Sequence, residues 1–180
     1  SWNYKEKNFI NENLEQIIQS VLDKGHNVKF RPHPEHFKRS MSTLNDLRKK
    51  FNNKKFILDE SFENIKSMET AKCLITDNSG IAIEFVLLFK KPVLYFEGND
   101  KIHNLEFNNY NDLITIDQKV KENFGYTFDK KNIDDLDVLI KKSTSEFVNM
   151  DTKIKNFIDN NFYNYGTTAK NFDVFVSKDL

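Results

Sequence analysis

The chain has 180 residues, a length that fits one α/β domain with its own hydrophobic core. It carries 27 Lys and Arg against 27 Asp and Glu, so no overall charge favours binding to nucleic acid or to an anionic membrane. Its single cysteine excludes an intrachain disulfide, and no apolar run approaches the ~20 residues of a membrane span. We therefore expect a cytoplasmic protein without a transmembrane segment and without a nucleic-acid partner.

The first half of the chain alternates predicted helices and strands. Apolar residues at three- and four-residue spacing predict a helix over Asn8–Lys24, which ends at Gly25. A strand over Asn27–Arg31 follows, and Pro32 and Pro34 close it because proline disfavours continued pairing. The next predicted elements are a helix over Ser40–Phe51, a strand over Lys55–Leu58 and a helix over Ser61–Ala71.

The same alternation continues to the end of the chain. The predicted elements are strand Cys73–Thr76, helix Ser79–Phe89, strands Pro92–Phe96 and Leu113–Ile116, helix Asn132–Lys142, and closing helices Asp151–Asn161 and Thr167–Val176. Alternation of this kind indicates a parallel sheet with helices on both faces, a doubly wound, Rossmann-like three-layer α/β fold. We expect one domain, with the core over residues 1–147 and closing helices over residues 148–180.

The turn after the third predicted strand carries the strongest functional signal. Asp77, Asn78 and Ser79 can cap the almost wholly apolar helix that follows, and Gly80 lets a ligand approach the backbone closely. A helix N-terminus of this composition suits a phosphate. Glu84 lies on the same helix face one turn beyond Gly80, and as an ionised group on an apolar helix it needs a partner such as a ribose hydroxyl. The alternative is an ordinary capped helix whose Glu84 meets a lysine or a backbone donor.

A second candidate is the run from Arg31 to Pro34 at the end of the first predicted strand. Ligands of open α/β sheets bind at the carboxyl ends of strands, so His33 and the turn at Asp77 are expected to converge on one crevice. His33 could there donate a hydrogen bond to a phosphate or transfer a proton. The alternative is that the two flanking prolines hold His33 in a structural turn.

Several common catalytic motifs do not occur in the sequence. The glycine spacing fits neither the P-loop nor the dinucleotide fingerprint, and there is no GxSxG nucleophile elbow. No histidine or cysteine pair has the spacing of a zinc site. We therefore expect no metal, no cofactor and no covalent nucleophile.

The sequence FRPHP, followed by LITDNSGIAIEFVLLFKKPVLYF, resembles the carboxyl-terminal nucleotide-binding half of the CDP-glycerol glycerophosphotransferase family. The resemblance implies one of the two Rossmann-like domains of a GT-B fold. It also implies transfer of glycerol phosphate, or a related polyol phosphate or sugar, from a CDP-linked donor to a teichoic-acid-like or capsular polymer. It makes His33 the catalytic residue, beside the donor pyrophosphate. The nucleotide- and phosphate-binding residues it implies are Arg31, Asp77, Asn78, Ser79, Gly80 and Glu84.

The resemblance also implies that an amino-terminal domain, absent from this chain, binds the polymer acceptor. We therefore expect this chain alone to be inactive, and the full-length parent to be at most peripheral to the inner face of the membrane. The family commonly has two serines where this chain has Ser79-Gly80, so a UDP-sugar-dependent GT-B domain of glycosyltransferase or 2-epimerase type is an open alternative. A further alternative is a non-catalytic α/β module that binds a protein partner. Asp59 and Asp77 end strands as in receiver domains, but the acidic pair expected after a first strand is absent.

Overall fold

Parallel strands form two small sheets in the part of the chain that the structure describes. The computed structural model describes residues 13–61, 65–77, 79–97 and 113–177. The strands are β1 (Val28–Phe30), β2 (Phe56–Leu58), β3 (Leu74–Thr76), β4 (Val93–Phe96) and β5 (Gly125–Phe128). β1 pairs with β2, and β4 lies between β3 and β5 in the second sheet, with every pairing parallel.

Helices occupy most of the remaining described sequence. They are α1 (Leu14–Asp23), α2 (Pro34–Arg39), α3 (Met41–Lys50), α4 (Ile65–Thr70), α5 (Ile81–Phe89), α6 (Ile116–Phe124), α7 (Leu136–Glu146), α8 (Asp151–Asn161) and α9 (Thr168–Val176). Short 3-10 helices at Lys130–Asp135 and Phe147–Asn149 flank α7. The predicted Rossmann-like α/β fold is confirmed.

The central strand β4 shows why the fold has three layers. All four of its residues are buried, and successive side chains of a strand point to opposite faces. Val93 and Tyr95 pack in one apolar cluster with α5, α6 and α8, whereas Leu94 and Phe96 pack in another with α1 and α7. Each such side chain contributes about 1.5–3 kcal/mol of burial free energy. Helices therefore cover both faces of this sheet.

Helix α1 packs against both parts of the core. Ile17 and Val21 belong to the cluster on one face of β4, while Leu14 and Ile18 belong to a third cluster formed with α3 and β2. The two sets alternate at three- and four-residue spacing along one broad apolar face, as the sequence predicts. α1 is therefore the helix that joins the two sheets into one core.

Two polar contacts fix α1 and the turn after it to the C-terminal half of the chain. The hydroxyl of Ser20 donates to the backbone carbonyl of Ile133 at 2.7 Å. After the helix, Nε2 of His26 lies 2.7 Å from Oδ1 of Asp137 at the start of α7. Both contacts join residues more than a hundred positions apart, so they close the described fold from end to end.

The strand predicted at Leu113–Ile116 is wrong, because a helix begins there. The backbone N–H of Thr115 donates to Oε1 of Gln118 at 3.0 Å, in a capping box that starts α6. The fifth strand instead begins at Gly125, directly after α6. A Cβ on Gly125 would lie 2.5 Å from the carbonyl oxygen of Lys121, so only glycine fits this abrupt change from helix to strand.

Two further differences concern helix starts. A separate helix, α2, precedes the one predicted from Ser40, and it begins at the second proline of the RPHP run. The helix predicted over Asn132–Lys142 begins later, as α7, at Leu136. A 3-10 helix precedes it, and Oδ1 of Asp129 caps that turn by accepting from the N–H of Lys131 at 2.8 Å.

The last two helices differ in how they pack. α8 buries Ile154 and Phe157 in the core, whereas no residue of α9 is buried and Phe172 and Phe175 are 62% and 67% exposed. Gly166 lies between them with φ +75°, in the left-handed region that favours glycine. Within the described ranges, no helix combines the length and the apolar character needed to cross a bilayer.

Candidate functional site

His33 is the cap of α2 and lies at the carboxyl end of β1. Its backbone is extended, with φ −61° and ψ 143°, as expected for a residue before proline, and Pro34 takes the first helical position. Nδ1 of His33 accepts from the backbone N–H of Glu35 at 3.2 Å. Because Nδ1 accepts, the neutral ring carries its proton on Nε2. The exposed ring therefore has one nitrogen with a structural role and one that can donate.

Arg31 contacts a buried carboxylate at the end of the neighbouring strand. Nη1 of Arg31 lies 3.3 Å from Oδ2 of Asp59 and 3.4 Å from the hydroxyl of Ser61. Asp59 is only 9% exposed and follows β2. The backbone N–H and the hydroxyl of Ser61 donate to its Oδ1 at 3.1 and 2.6 Å, and the hydroxyl of Ser67 donates to Oδ2. Asp59 thus ties together β1, β2 and α4.

The environment of Asp59 keeps it ionised. Burial by itself would raise the pKa of this carboxyl, but the hydrogen bonds from Ser61 and Ser67 and the charge of Arg31 outweigh burial and lower the pKa to about 2. Asp59 is not among the site residues that the sequence predicts. The local signal was an Asp-x-Ser turn after a strand, in which the aspartate accepts from the backbone two residues on. Its pairing with Arg31 joins positions 28 residues apart and has no local signature.

The turn after β3 is held by backbone hydrogen bonds. The carbonyl of Asp77 accepts from the N–H of Ser79 at 2.8 Å, and Asp77 is buried. The N–H groups of Ala82 and Ile83 donate to the carbonyls of Ser79 and Gly80, each at 3.0 Å. These short-range bonds tighten the first turn of α5 and use three amides that could otherwise face a ligand.

Gly80, not Ser79, takes the cap position of α5, and no side chain caps that helix among the residues that the structure describes. Asn78, the other predicted capping residue, lies outside the described residues. The amides of Gly80 and Ile81 have no hydrogen-bond acceptor within the described ranges. A Cβ on Gly80 would meet nothing within 4 Å, so the space above this backbone is open. The amides of Gly80 and Ile81 are thus available to an anion.

Glu84 lies on an exposed stripe of α5. Gly80, Glu84 and Leu88 are exposed at four-residue spacing, while Phe85 and Val86 on the opposite side are fully buried. Glu84 therefore shares a face with Gly80, as the sequence predicts. The expectation that burial forces Glu84 to find a partner is wrong, because its carboxylate is exposed, and it makes no ion pair or hydrogen bond to any described residue.

No protein-family model, curated protein or solved structure matches the chain. What the chain can bind therefore follows from its fold and from the chemistry of the two turns.

The two clefts that the described residues line do not coincide with the predicted site. Two clefts, of about 550 and 430 Å³, lie elsewhere: one beside Leu22 and Phe51, the other between α6 and α8 beside Phe157. Neither cleft is lined by any predicted site residue.

Metal and thiol chemistry receive no support from the described part of the chain. It contains no group of three His, Cys, Asp or Glu side chains that could hold a metal ion. Burial raises the pKa of the Cys73 thiol to about 11, so the group stays protonated and unreactive near neutral pH. Arg31, His33, the amides at Gly80, and Glu84 can supply hydrogen bonds and charge stabilisation.

Proposed function

We propose that this chain is the donor-nucleotide-binding domain of a GT-B-type transferase. The donor is CDP-linked, the transferred group is glycerol phosphate or a related polyol phosphate or sugar, and the acceptor is a cell-surface polymer. The acceptor binds to a further domain, which the activity requires. One observation carries the proposal: residues suited to a nucleoside diphosphate follow two parallel strands of a Rossmann-like fold, at RPHP after β1 and TDNSG after β3.

The core supports a common site for the two turns. Val28 of β1 and Ile75 of β3 pack against the same apolar cluster, so both strands are anchored to one body of the core. β1 pairs in parallel with β2, and β3 pairs in parallel with β4. Ligands of open α/β sheets bind at the carboxyl ends of such strands, where both turns lie.

Each group has a defined role in the proposed reaction. The amides of Gly80 and Ile81 and the Nε2 donor of His33 stabilise negative charge on the donor phosphates, which requires no covalent intermediate. In transfer of glycerol phosphate, the acceptor oxygen bonds to the phosphorus that carries glycerol while the bridging P–O bond breaks and CMP leaves. In transfer of a sugar, the nucleoside diphosphate leaves. Glu84 accepts hydrogen bonds from the ribose hydroxyls one helical turn away. Exposure of Glu84 leaves its carboxylate accessible to a nucleotide. A UDP-sugar donor would use the same groups, so the base must be identified by experiment.

Nucleotide binding tests the proposal directly. We expect millimolar CDP to raise the unfolding temperature of the 180-residue chain, since a ligand at 100 times its Kd adds about 2.7 kcal/mol of stability. A larger shift with CDP than with UDP supports the CDP-linked donor, and the reverse order supports a UDP-sugar. If neither nucleotide shifts the transition, the chain is not a donor-binding domain.

The same assay includes a matched pair of variants. Glu84→Ala should weaken nucleotide binding about tenfold, the size of one hydrogen bond to a charged group. Glu122→Ala is the control, because Glu122 is likewise exposed on a helix of nine residues, α6. Equal affinity of the two variants would remove Glu84 from the site.

A further inference from the structure

We propose that Asp59 is a positioning residue that orients the guanidinium of Arg31 toward the anionic part of the nucleotide. This inference rests on the proposed function, and it adds a residue to the site that lies on a third strand end. Asp59 would not touch the ligand. It would act through Arg31, two residues before His33.

The contacts of Asp59 fix its carboxylate in one orientation. Oδ1 accepts twice from Ser61, and Oδ2 accepts from the Ser67 hydroxyl and lies 3.3 Å from Nη1 of Arg31. Four donors on a group that is 9% exposed leave it little rotational freedom. One edge of the Arg31 fork is therefore attached to a rigid acceptor.

The exposure of Arg31 is what makes this arrangement useful for binding. Its side chain is 32% exposed, so Arg31 is partly accessible at the strand end while its Nη1 contacts Asp59. Guanidinium has five N–H donors in a planar fork, and a phosphate is best held by two of them in parallel. Holding one edge on Asp59 removes much of the entropy that a flexible arginine loses when it binds a phosphate.

Charge alone argues against a simpler role for Arg31 as an anion attractor. The ionised Asp59 neutralises much of its charge at long range, so the pair is a weak source of electrostatic steering. The pair would contribute to binding through the orientation of Arg31, so loss of the Asp59 carboxylate should weaken binding. The hydroxyl of Ser67 in α4 donates to the same carboxylate oxygen that contacts Nη1 of Arg31, so Ser67 belongs to the same network.

A double-mutant cycle on CDP affinity tests the inference, measured by titration calorimetry on the 180-residue chain. Asp59→Asn should weaken CDP binding about 3- to 10-fold, within the range of couplings inside one hydrogen-bonded network. In an Arg31→Ala background, the same change should have no further effect, because the group it positions is gone. Asp46→Asn, an exposed aspartate of α3, is the control and should leave affinity unchanged.

Each result decides the question. Additive losses from Asp59→Asn and Arg31→Ala would mean that Asp59 supports the fold without acting through Arg31, and unchanged affinity in Asp59→Asn would remove it from the site. Either result, with wild-type chain that binds CDP, overturns this inference alone. Wild-type chain that does not bind CDP overturns the proposed function as well. If Asp59→Asn does not fold, Ser67→Ala takes its place in the cycle, with the same non-additivity expected.

Discussion

The two turns that carry the predicted site are built in different ways. After β1, side chains define the turn: His33 caps α2 through Nδ1, and Arg31 is attached to the buried Asp59. After β3, the described hydrogen bonds run between backbone groups, and the cap position of α5 is a glycine. The first turn therefore has its shape before any ligand arrives, whereas the second offers open backbone to which a ligand can supply the missing acceptors.

Because the two turns differ in this way, substitutions in them should affect different quantities. Substitutions at the first turn should lower the free energy of unfolding, because they remove contacts that exist in the absence of ligand. Substitutions at the second turn should leave that free energy nearly unchanged and alter nucleotide affinity. Three substitutions, in order of decreasing effect on stability, test the contrast.

The largest effect is expected at Asp59. Asp59→Ala should lower the free energy of unfolding by about 2–3 kcal/mol at neutral pH, because it removes an ionised, hydrogen-bonded acceptor and with it the charge that faces Nη1 of Arg31. The pKa of Asp59 is lowered to about 2, below the roughly 3.9 of an unfolded chain, so its contribution is present above pH ~4. It is lost as the pH falls through the folded pKa. Urea titrations from pH 7 to pH 2 would measure the change.

Asp46→Ala serves as the control for that series, since Asp46 is exposed on α3. The difference in stability between wild type and Asp59→Ala should shrink between pH 4 and pH 2. A difference that stays constant over this range would mean that Asp59 stabilises the fold by packing and not by charge.

A smaller effect is expected at His33. His33→Ala removes the side-chain acceptor that caps α2 and should cost about 1 kcal/mol. His33→Ser keeps an acceptor at the cap and should retain most of that stability while it removes the imidazole. Thermal unfolding of both variants checks the cap, and CDP titration checks the ring. Equal stability of the two would show that the cap contributes nothing to the fold.

The smallest effect on stability is expected at Gly80. Its φ is −57°, and a Cβ would meet nothing within 4 Å, so Gly80→Ala should change the free energy of unfolding by less than about 0.5 kcal/mol. The added methyl group would occupy the space through which a phosphate reaches the amides, so CDP binding should weaken. If binding is unchanged in Gly80→Ala, the anion does not approach the backbone at this turn.

Local sequence patterns predict the elements whose signals are strong. The apolar spacing of α1 and the short apolar strands at β3 and β4 lie where the sequence places them, within a few residues. The error at residues 113–116 has a local cause: Leu113 and Ile114 look like a strand, but Thr115 and Gln118 form a capping box, and capping decided the outcome. β5 was missed because it starts directly after α6, without a turn signal.

Some features of the candidate site can likewise be predicted from local sequence, and others depend on the assembled fold. The turn composition after β3 and the shared face of Gly80 and Glu84 follow from local spacing, so the sequence predicts them. The exposure of Glu84 cannot be predicted from local spacing, because it depends on which side of α5 faces the sheet. The contact between Arg31 and Asp59 depends on β1 and β2 lying side by side with both strand ends at one edge, which only the assembled fold determines.

Helix α1 has a consequence for the order in which the chain folds. Within the described ranges, each strand pairs only with strands next to it in sequence, so both sheets can form while the chain is still being synthesised. α1 can pack on β2 and α3 at that stage, through Leu14 and Ile18. Its other side, with Ile17 and Val21, must wait for Leu94 and Phe96 of β4. The polar contacts to Ile133 and Asp137 come later still, more than a hundred residues after α1. Folding intermediates that precede β4 should therefore expose Ile17 and Val21.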